Sequence, residues 1–545
     1  MKLISRILIF FLLLSSTAQS EQASTATSKT TASKTTTSKP KNLIVLVGDG
    51  MGPQQIGLAA LYAKEAPKGA HSLAIERFMD KGETGVVLTN PENGLVVDSA
   101  CSMTQFSTGK RSGSQMVGLD SDGNPAETML EKAKALGKSV GLVTDTRLTH
   151  ATPASFASHQ PIRYKENKIA EDLLLKKVDV LFGGGARHFL PKAVNEKGST
   201  LRKNYKKLTG FKGKFKSKRK DENDLVTIAE EYGYQVSFNK SKLLAAKTLP
   251  HLGLFAISGL PDAITTKKLS QTGDLNIPTL REMTAKALDL LSSNEKGFFL
   301  MVEAGQIDWA GHENDAGRLL NELLRLDSVV DLVLEWAKDR TDTLVVLTAD
   351  HETGSFGFSY SGYQLPKGKK LSGSAFKNSI FKPIYNFIDP SNLDRLFNQQ
   401  STLVEVLEDF EDLSYSKRSP KALARMVTDA TGFFFSRDSA KKVLEEHYNE
   451  FYDSDHKQLS QKTVPHIHDF SAFYPYIGNN RAVLVARGLA KEQGVVWGTG
   501  THTSTPVLIT AVGPSSATKD FKGLMHMSEA GRLVMDAAGL SSSSK

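Results

Sequence analysis

From residue 42 onward the chain alternates short, uninterrupted runs of Val, Ile and Leu with longer stretches in which apolar residues recur every three or four positions. The runs at 42–47, 139–144, 178–182, 297–302, 343–348 and 507–511 lack the polar alternation of a half-exposed strand, so they predict strands covered on both faces. The segments at 128–136, 280–291 and 319–336 carry helical periodicity. Strands interleaved with helices predict an α/β fold: a mostly parallel central sheet with helices on both faces. After Glu352 the rhythm breaks. Gly, Ser and Lys punctuation gives way to helical patterns at 421–428 and 439–452, then an aromatic run at 470–476. Residues 352–493 therefore read as a large insertion beside an α/β domain built from 41–351 and 494–540. No internal repeat is evident.

The amino terminus follows a different logic. Lys2 and Arg6 precede an apolar run at 7–14 that is too short to span a bilayer, and Ala18-Gln19-Ser20 is a small-x-small cleavage signal. Residues 1–20 thus predict a signal peptide and export to the periplasm or beyond the cell. Residues 21–40 are almost only Ser, Thr, Ala and Lys, a linker unable to bury enough apolar area to order itself. Removing the leader takes two positive charges and no acid from a net charge of +9, leaving +7. No later run is long and apolar enough to hold the product in a membrane. With 40% apolar and 23% charged residues, the chain of 545 residues has the composition of a folded protein. Its single cysteine, Cys101, excludes an internal disulfide and leaves His, Asp and Glu as metal ligands.

Those ligand types gather where the strands end. In open α/β sheets, ligands bind beyond the carboxyl ends of the strands. NLIVLVGDGMG delivers Asp49 there, TLVVLTADHETG delivers Asp350 and His351, and GFFLMVEAGQIDWAGH delivers Glu303, then Asp308 and His312 four residues apart on one helical face. His502 sits in GTGTHTSTP, just before the last of the runs. Any one of these acids could merely cap a helix. Together they would leave an uncompensated negative cluster unless cations bind. VVDSACSMTQFSTG places Ser99 at the start of a helical segment, as a nucleophile favoured by the helix dipole or as part of a Ser/Asp cap. VTDTRLTHATPASFASHQPIR then supplies His150, Thr152 and Arg163, whose guanidinium can grip two phosphate oxygens.

Taken in order, GDGMG, DSACS, THATPA, FGGGARHF, VEAGQID…GH, TADHETG and GTGTHT resemble the alkaline phosphatase family. The resemblance covers most of 41–355 and roughly 495–540. It implies hydrolysis of small-molecule phosphate monoesters, with Ser99 as phosphate acceptor and Arg163 as clamp. It further implies one zinc on Asp308, His312 and His502, a second zinc on Asp49, Asp350 and His351, and a magnesium on Asp49, Thr152 and Glu303. The donor types agree, since imidazole suits zinc and an all-oxygen set suits magnesium. Where the best-studied bacterial members carry aspartate and lysine, this chain has His150 and Trp309, which leaves the third metal and phosphate release open. The family is commonly homodimeric, so a homodimer is expected, with no specific nucleic-acid partner and no membrane.

Other features read as structure. Ser102 is a helix-interior hydroxyl and Cys101 a packing residue. Gly183 to Gly185, with Arg187 and His188, form a tight turn without the Lys-Ser/Thr of a nucleotide loop. His466 and His468 lack a third ligand. The eleven Lys and Arg between 197 and 220, interleaved with Tyr205, Phe211 and Phe215, read as a solvated loop rather than a polyanion site. Rival functions are a phosphodiesterase, sulfatase or phosphomutase on the same scaffold, or an exported metal- or polyanion-binding protein without turnover. A sulfatase would need a C/S-x-P-x-R setting that residues 98–102 do not provide.

Overall fold

A computed structural model describes residues 39–541 apart from 70, 71, 212 and 466. The leader, nearly all of the linker and His466 lie outside the described residues. Lys39 and Pro40 are already within them, the Lys39 ammonium donating to the Asp536 carbonyl at 2.8 Å.

Ten strands form one sheet: β1 (Asn42–Gly48), β2 (Glu83–Leu88), β3 (Ser139–Arg147), β4 (Val180–Gly184), β5 (Gln235–Ser237), β6 (His251–Leu254), β7 (Phe298–Ala304), β8 (Thr343–Thr348), β9 (Val507–Val512) and β10 (Gly523–His526). Their spatial order is β10-β2-β9-β8-β1-β7-β3-β4-β6-β5. Every pairing is parallel except those of β9, which runs antiparallel to both β8 and β2. The apolar runs become the central strands, and all seven residues of β1 are buried between β7 and β8. The four strands without such a run, β2, β5, β6 and β10, lie toward the two sides of the sheet. There a short or alternating segment suffices, as in β2, where Gly85 and Val87 are buried but Glu83, Val86 and Leu88 are exposed.

Helices cover the sheet. The longest described, Ala316–Ala337, is capped by the Asp315 carboxylate on the Arg318 amide and turns Leu319, Leu323, Leu326, Val330 and Val333 inward at helical spacing. No helix among the described residues is long and apolar enough to cross a membrane. The helix expected over 439–452 is shorter, Arg437–Leu444. Its buried stripe of Ala440 and Val443 meets His447 where the next apolar residue is needed. The chain extends instead, and His447–Tyr448 pairs antiparallel with Thr463–Val464. The basic segment also departs from a wholly solvated loop. Tyr205 and Phe215 are buried, so neither is available to stack on a base, and Arg219 bonds Glu171 and Asp221 at 2.7 Å each.

Away from the strand ends, β6 begins with His251, 2% exposed, its Nε2 2.9 Å from the Ser237 hydroxyl. Burial, then Lys286, lowers its pKa from 6.5 to about 4. Between those values the unfolded chain binds a proton that the native chain refuses, so stability falls as pH drops through this window. The expected contribution is on the order of 2 kcal/mol lost between pH 7 and pH 4. His251→Gln should flatten that part of the profile in denaturant titrations. Parallel profiles for wild type and variant would contradict it.

Candidate active site

Because β8, β1, β7 and β3 run parallel and adjacent, their carboxyl ends present successive side chains at one edge. Val47 pairs with Glu303 and Thr348, and Glu303 pairs with Thr144, so Asp49, Glu303 and Asp350 emerge side by side. Gly50 makes the sharp exit from β1 possible. It has φ +75°, and a Cβ there would stand 2.8 Å from both the Asp308 Cα and the Thr353 hydroxyl. Its amide donates to Asp350 Oδ1 at 3.0 Å.

Among the described residues three sets of ligand atoms result, each with members within 4.8 Å of one another: Asp308, His312 and His502; Asp49, Asp350 and His351; Asp49, His150 and Glu303. In the first, His312 Nδ1 meets the Gly500 carbonyl at 2.7 Å and His502 Nδ1 the Val97 carbonyl at 2.8 Å. A carbonyl only accepts, so each Nδ1 carries a proton and each Nε2 is turned to the other ligands; at His312 burial is outweighed by Asp308, which raises its pKa and marks the place as one for a cation. Those Nε2 atoms lie 3.3 Å apart, and 3.3 and 3.5 Å from the Asp308 carboxylate. Imidazoles anchored through one nitrogen and converging through the other suit a metal. Burial, reinforced by the His351 ring stacked at 3.6 Å, holds His502 neutral with a pKa of about 3.

In the second set, His351 Nε2 lies 3.1 Å from Asp350 Oδ2, 3.6 Å from Asp49 Oδ1 and 3.1 Å from the Ser99 hydroxyl. Asp49 is fully buried, yet neither of its oxygens accepts a hydrogen bond. Burial raises its carboxyl well above the usual range, and Asp350, Asp308 and Glu303 press the same way. Asp350 Oδ2, Glu303 Oε1, the Thr152 hydroxyl and His150 Nδ1 are likewise buried without a hydrogen-bond partner. The third set contains an imidazole where only oxygen donors were expected, with His150 Nδ1 3.8 Å from Glu303 Oε1 and 4.0 Å from Asp49 Oδ2. Glu303 is held by the hydroxyls of Thr144 and Thr146.

Ser99 opens the helix Ser99–Thr108, whose N-cap, Asp98, accepts from the Ala100 amide. The same carboxylate takes the Gln115 amide at 2.7 Å and Arg163 Nη1 at 2.9 Å, so one side chain caps the helix and aims the guanidinium. Arg163 Nη2 lies 3.3 Å from His150 Nε2. Ser102 and Cys101 are turned inward, the Ser102 hydroxyl to the Asp350 carbonyl at 2.6 Å and the thiol to the Ser112 carbonyl. Trp309 packs edge-on to His150, ring centroids 6.2 Å apart, against Gly259, where any Cβ would strike the indole.

A cleft of about 280 Å³ opens onto Ser99, Arg163, Asp308, His312 and His502. Its lining also includes residues that sequence reasoning passed over: Arg147, Glu166, Arg187, Lys457 and Tyr476. Arg187 stands in the turn assigned to structure alone. The turn is structural, since a Cβ on Gly184 would lie 1.9 Å from the Ser258 carbonyl, but it also delivers a cation to the cleft. Its position after a strand end was the available signal. Nothing local marked Lys457, and Tyr476 stood out only as the end of the aromatic run at 470–476, both more than a hundred residues downstream of Asp350.

Buried carboxylate oxygens that find no donor within the protein call for metal, and a guanidinium among them makes an oxyanion the fitting ligand: the class is a metal-dependent enzyme acting on an oxyanion. The profile of the alkaline phosphatase family matches residues 40–540. Alkaline phosphatase 3 of Bacillus subtilis is 30% identical over 505 residues, 91% of this chain and 88% of that protein. The Escherichia coli alkaline phosphatase is 33% identical over 359 residues, 58% of this chain and 70% of its own. The Thermus thermophilus alkaline phosphatase structure superposes with a TM-score of 0.73 at 26% identity, covering 92% of each chain. The chain belongs to the alkaline phosphatase family: it is a metal-dependent phosphatase acting on phosphate monoesters.

Proposed function

We propose that hydrolysis proceeds through a covalent phosphoserine at Ser99, assisted by two zinc ions and one magnesium. The observation that carries this reading is Asp49, buried between two ligand sets with both oxygens unpartnered. Asp308, His312 and His502 would hold one zinc and Asp49, Asp350 and His351 the other. Asp49, Thr152 and Glu303 would hold magnesium, with His150 offering a nitrogen to the same place. Bound there, the cations supply Lewis acidity that favours an ionised hydroxyl and offsets phosphoryl charge.

The chain's own groups do the rest. Arg163, aimed by Asp98, binds two non-bridging oxygens and orients the phosphorus. Ser99 Oγ attacks in line, the ester P–O bond breaks, and the alcohol leaves with a proton. Water then attacks the phosphoserine from the vacated side, restoring Ser99 and releasing phosphate. Residues 352–493 act as an insertion that narrows the cleft, since Lys457, Gln458 and Tyr476 reach its wall. Its two ends lie together, Thr353 pairing with His502 and Gly357 with Val496. The mature chain is read as exported and homodimeric, which gel filtration of the secreted product checks.

The test is turnover of a chromogenic phosphate monoester, a phosphate diester and a sulfate ester, with and without chelator, combined with acid quenching and peptide mass analysis. Chelator-sensitive preference for the monoester and a phosphorylated peptide containing Ser99 are expected. Faster diester turnover, or a phosphate on another residue, overturns the reading. Position 309 provides a narrower check. With indole rather than ammonium beside the phosphate, product is held weakly, so Trp309→Lys should lower the inhibition constant for inorganic phosphate about tenfold, the worth of one charge-assisted hydrogen bond. An unchanged constant would remove Trp309 from product release.

A further inference from the structure

Around Glu166 the cleft is lined by more cations than that carboxylate balances. Arg147 donates to Glu166 through Nε at 2.7 Å and Nη2 at 3.3 Å, while Arg187 Nη2 lies 4.0 Å from the same carboxylate. Glu166 also takes the Thr149 hydroxyl at 2.7 Å and faces His188 Nε2 at 3.1 Å. Lys457 arrives from the far side, its ammonium 3.2 Å from the centroid of the Tyr164 ring, and forms no ion pair among the described residues. One carboxylate therefore faces Arg147, Arg187 and Lys457, an excess of two positive charges. His188 adds none, because burial lowers its pKa. Burial also lowers the Lys457 ammonium; Glu166 counters, and Arg163, Arg147 and Arg187 press it further down. A concave wall lined by cations in excess of its carboxylates focuses a positive field and draws an anion to it. With the scissile phosphoryl placed on Ser99 and Arg163, these three cations remain for an anion carried elsewhere on the same substrate.

We propose that Arg147, Arg187 and Lys457 form a second anion subsite in the cleft, selecting phosphate monoesters whose leaving group carries a further phosphate or carboxylate. This rests on the reading that Ser99 and Arg163 hold the scissile phosphoryl. It differs from general steering, in which a positive field speeds the arrival of every phosphate alike. A subsite discriminates between substrates that differ only in the second anion.

The experiment compares bisphosphates of α,ω-diols, from propane-1,3-diol to hexane-1,6-diol, with the matching ω-hydroxyalkyl monophosphates, following phosphate release. Wild type should favour the bisphosphate in kcat/KM by about tenfold at one or more chain lengths, through KM. Lys457→Met and Arg187→Gln should each reduce that ratio severalfold, and Lys457→Arg should restore it. Lys457 lies on the surface, so Lys457→Met tests the idea even if Arg187→Gln folds poorly. No preference at any length overturns the proposal, as does an equal loss on both substrates or a preference that survives both substitutions. If wild type fails to hydrolyse the monophosphates at all, the Ser99 reading itself is at fault; turnover without preference removes only the subsite.

Discussion

Replacing Ser99 with alanine lowers phosphate-monoester turnover by at least about a thousandfold, the order expected when a nucleophile is removed, and leaves metal content intact. The local structure makes this substitution clean. Alanine is a good helix former, and the cap comes from Asp98, so the helix Ser99–Thr108 keeps its start. No neighbour can take over. Ser102 is bonded to the Asp350 carbonyl, and burial drives the Cys101 thiol far above its usual pKa, so no thiolate forms. Initial rates with a chromogenic monoester, alongside elemental analysis, check both halves of the statement. A variant keeping a tenth or more of wild-type kcat would rule Ser99 out as the acceptor.

Removing the metals abolishes turnover and lowers the melting temperature by several degrees or more, because ligands that bind only the native state stabilise it by about 2.7 kcal/mol at a hundredfold excess over Kd. The native chain without cations must hold Asp49, Glu303 and Asp350 among one another out of water, with unpartnered oxygens on each. Asp49→Asn gives this argument its sharpest form. The amide cannot serve two ligand sets, so the variant should lose activity and bind fewer ions. Yet without metal it should melt above the equally stripped wild type at neutral pH, since the amide spares the fold the cost of either burying that charge or taking up a proton against the pH to avoid it. Calorimetry of both proteins with and without chelator reads the crossing. If the stripped variant melts below the stripped wild type, Asp49 is not burdened by charge repulsion as described.

Much of this was legible in the chain. The unbroken apolar runs are too short for buried helices and read as strands covered on both faces, and β1, β3, β4, β7, β8 and β9 appear where those runs lie. The strand-end Asp, Glu and His followed from the same rule, because a parallel sheet delivers the residue after each strand to one edge. The short side strands were not legible. Burial on one face, or three residues such as Gln235–Ser237, leaves too little pattern to separate from a loop.

By itself, then, the sequence determined the central strands of the sheet, the edge where chemistry gathers and the types of side chain present there, since these depend on local hydrophobic order and on chain direction. Only the tertiary structure decided that Asp98 both caps a helix and aims Arg163, that His150 turns a nitrogen toward Glu303, and that Lys457 reaches Tyr164 across the cleft. The physical reason is that each of these contacts joins segments far apart in the chain, where only the packing of the whole fold sets the distance between them.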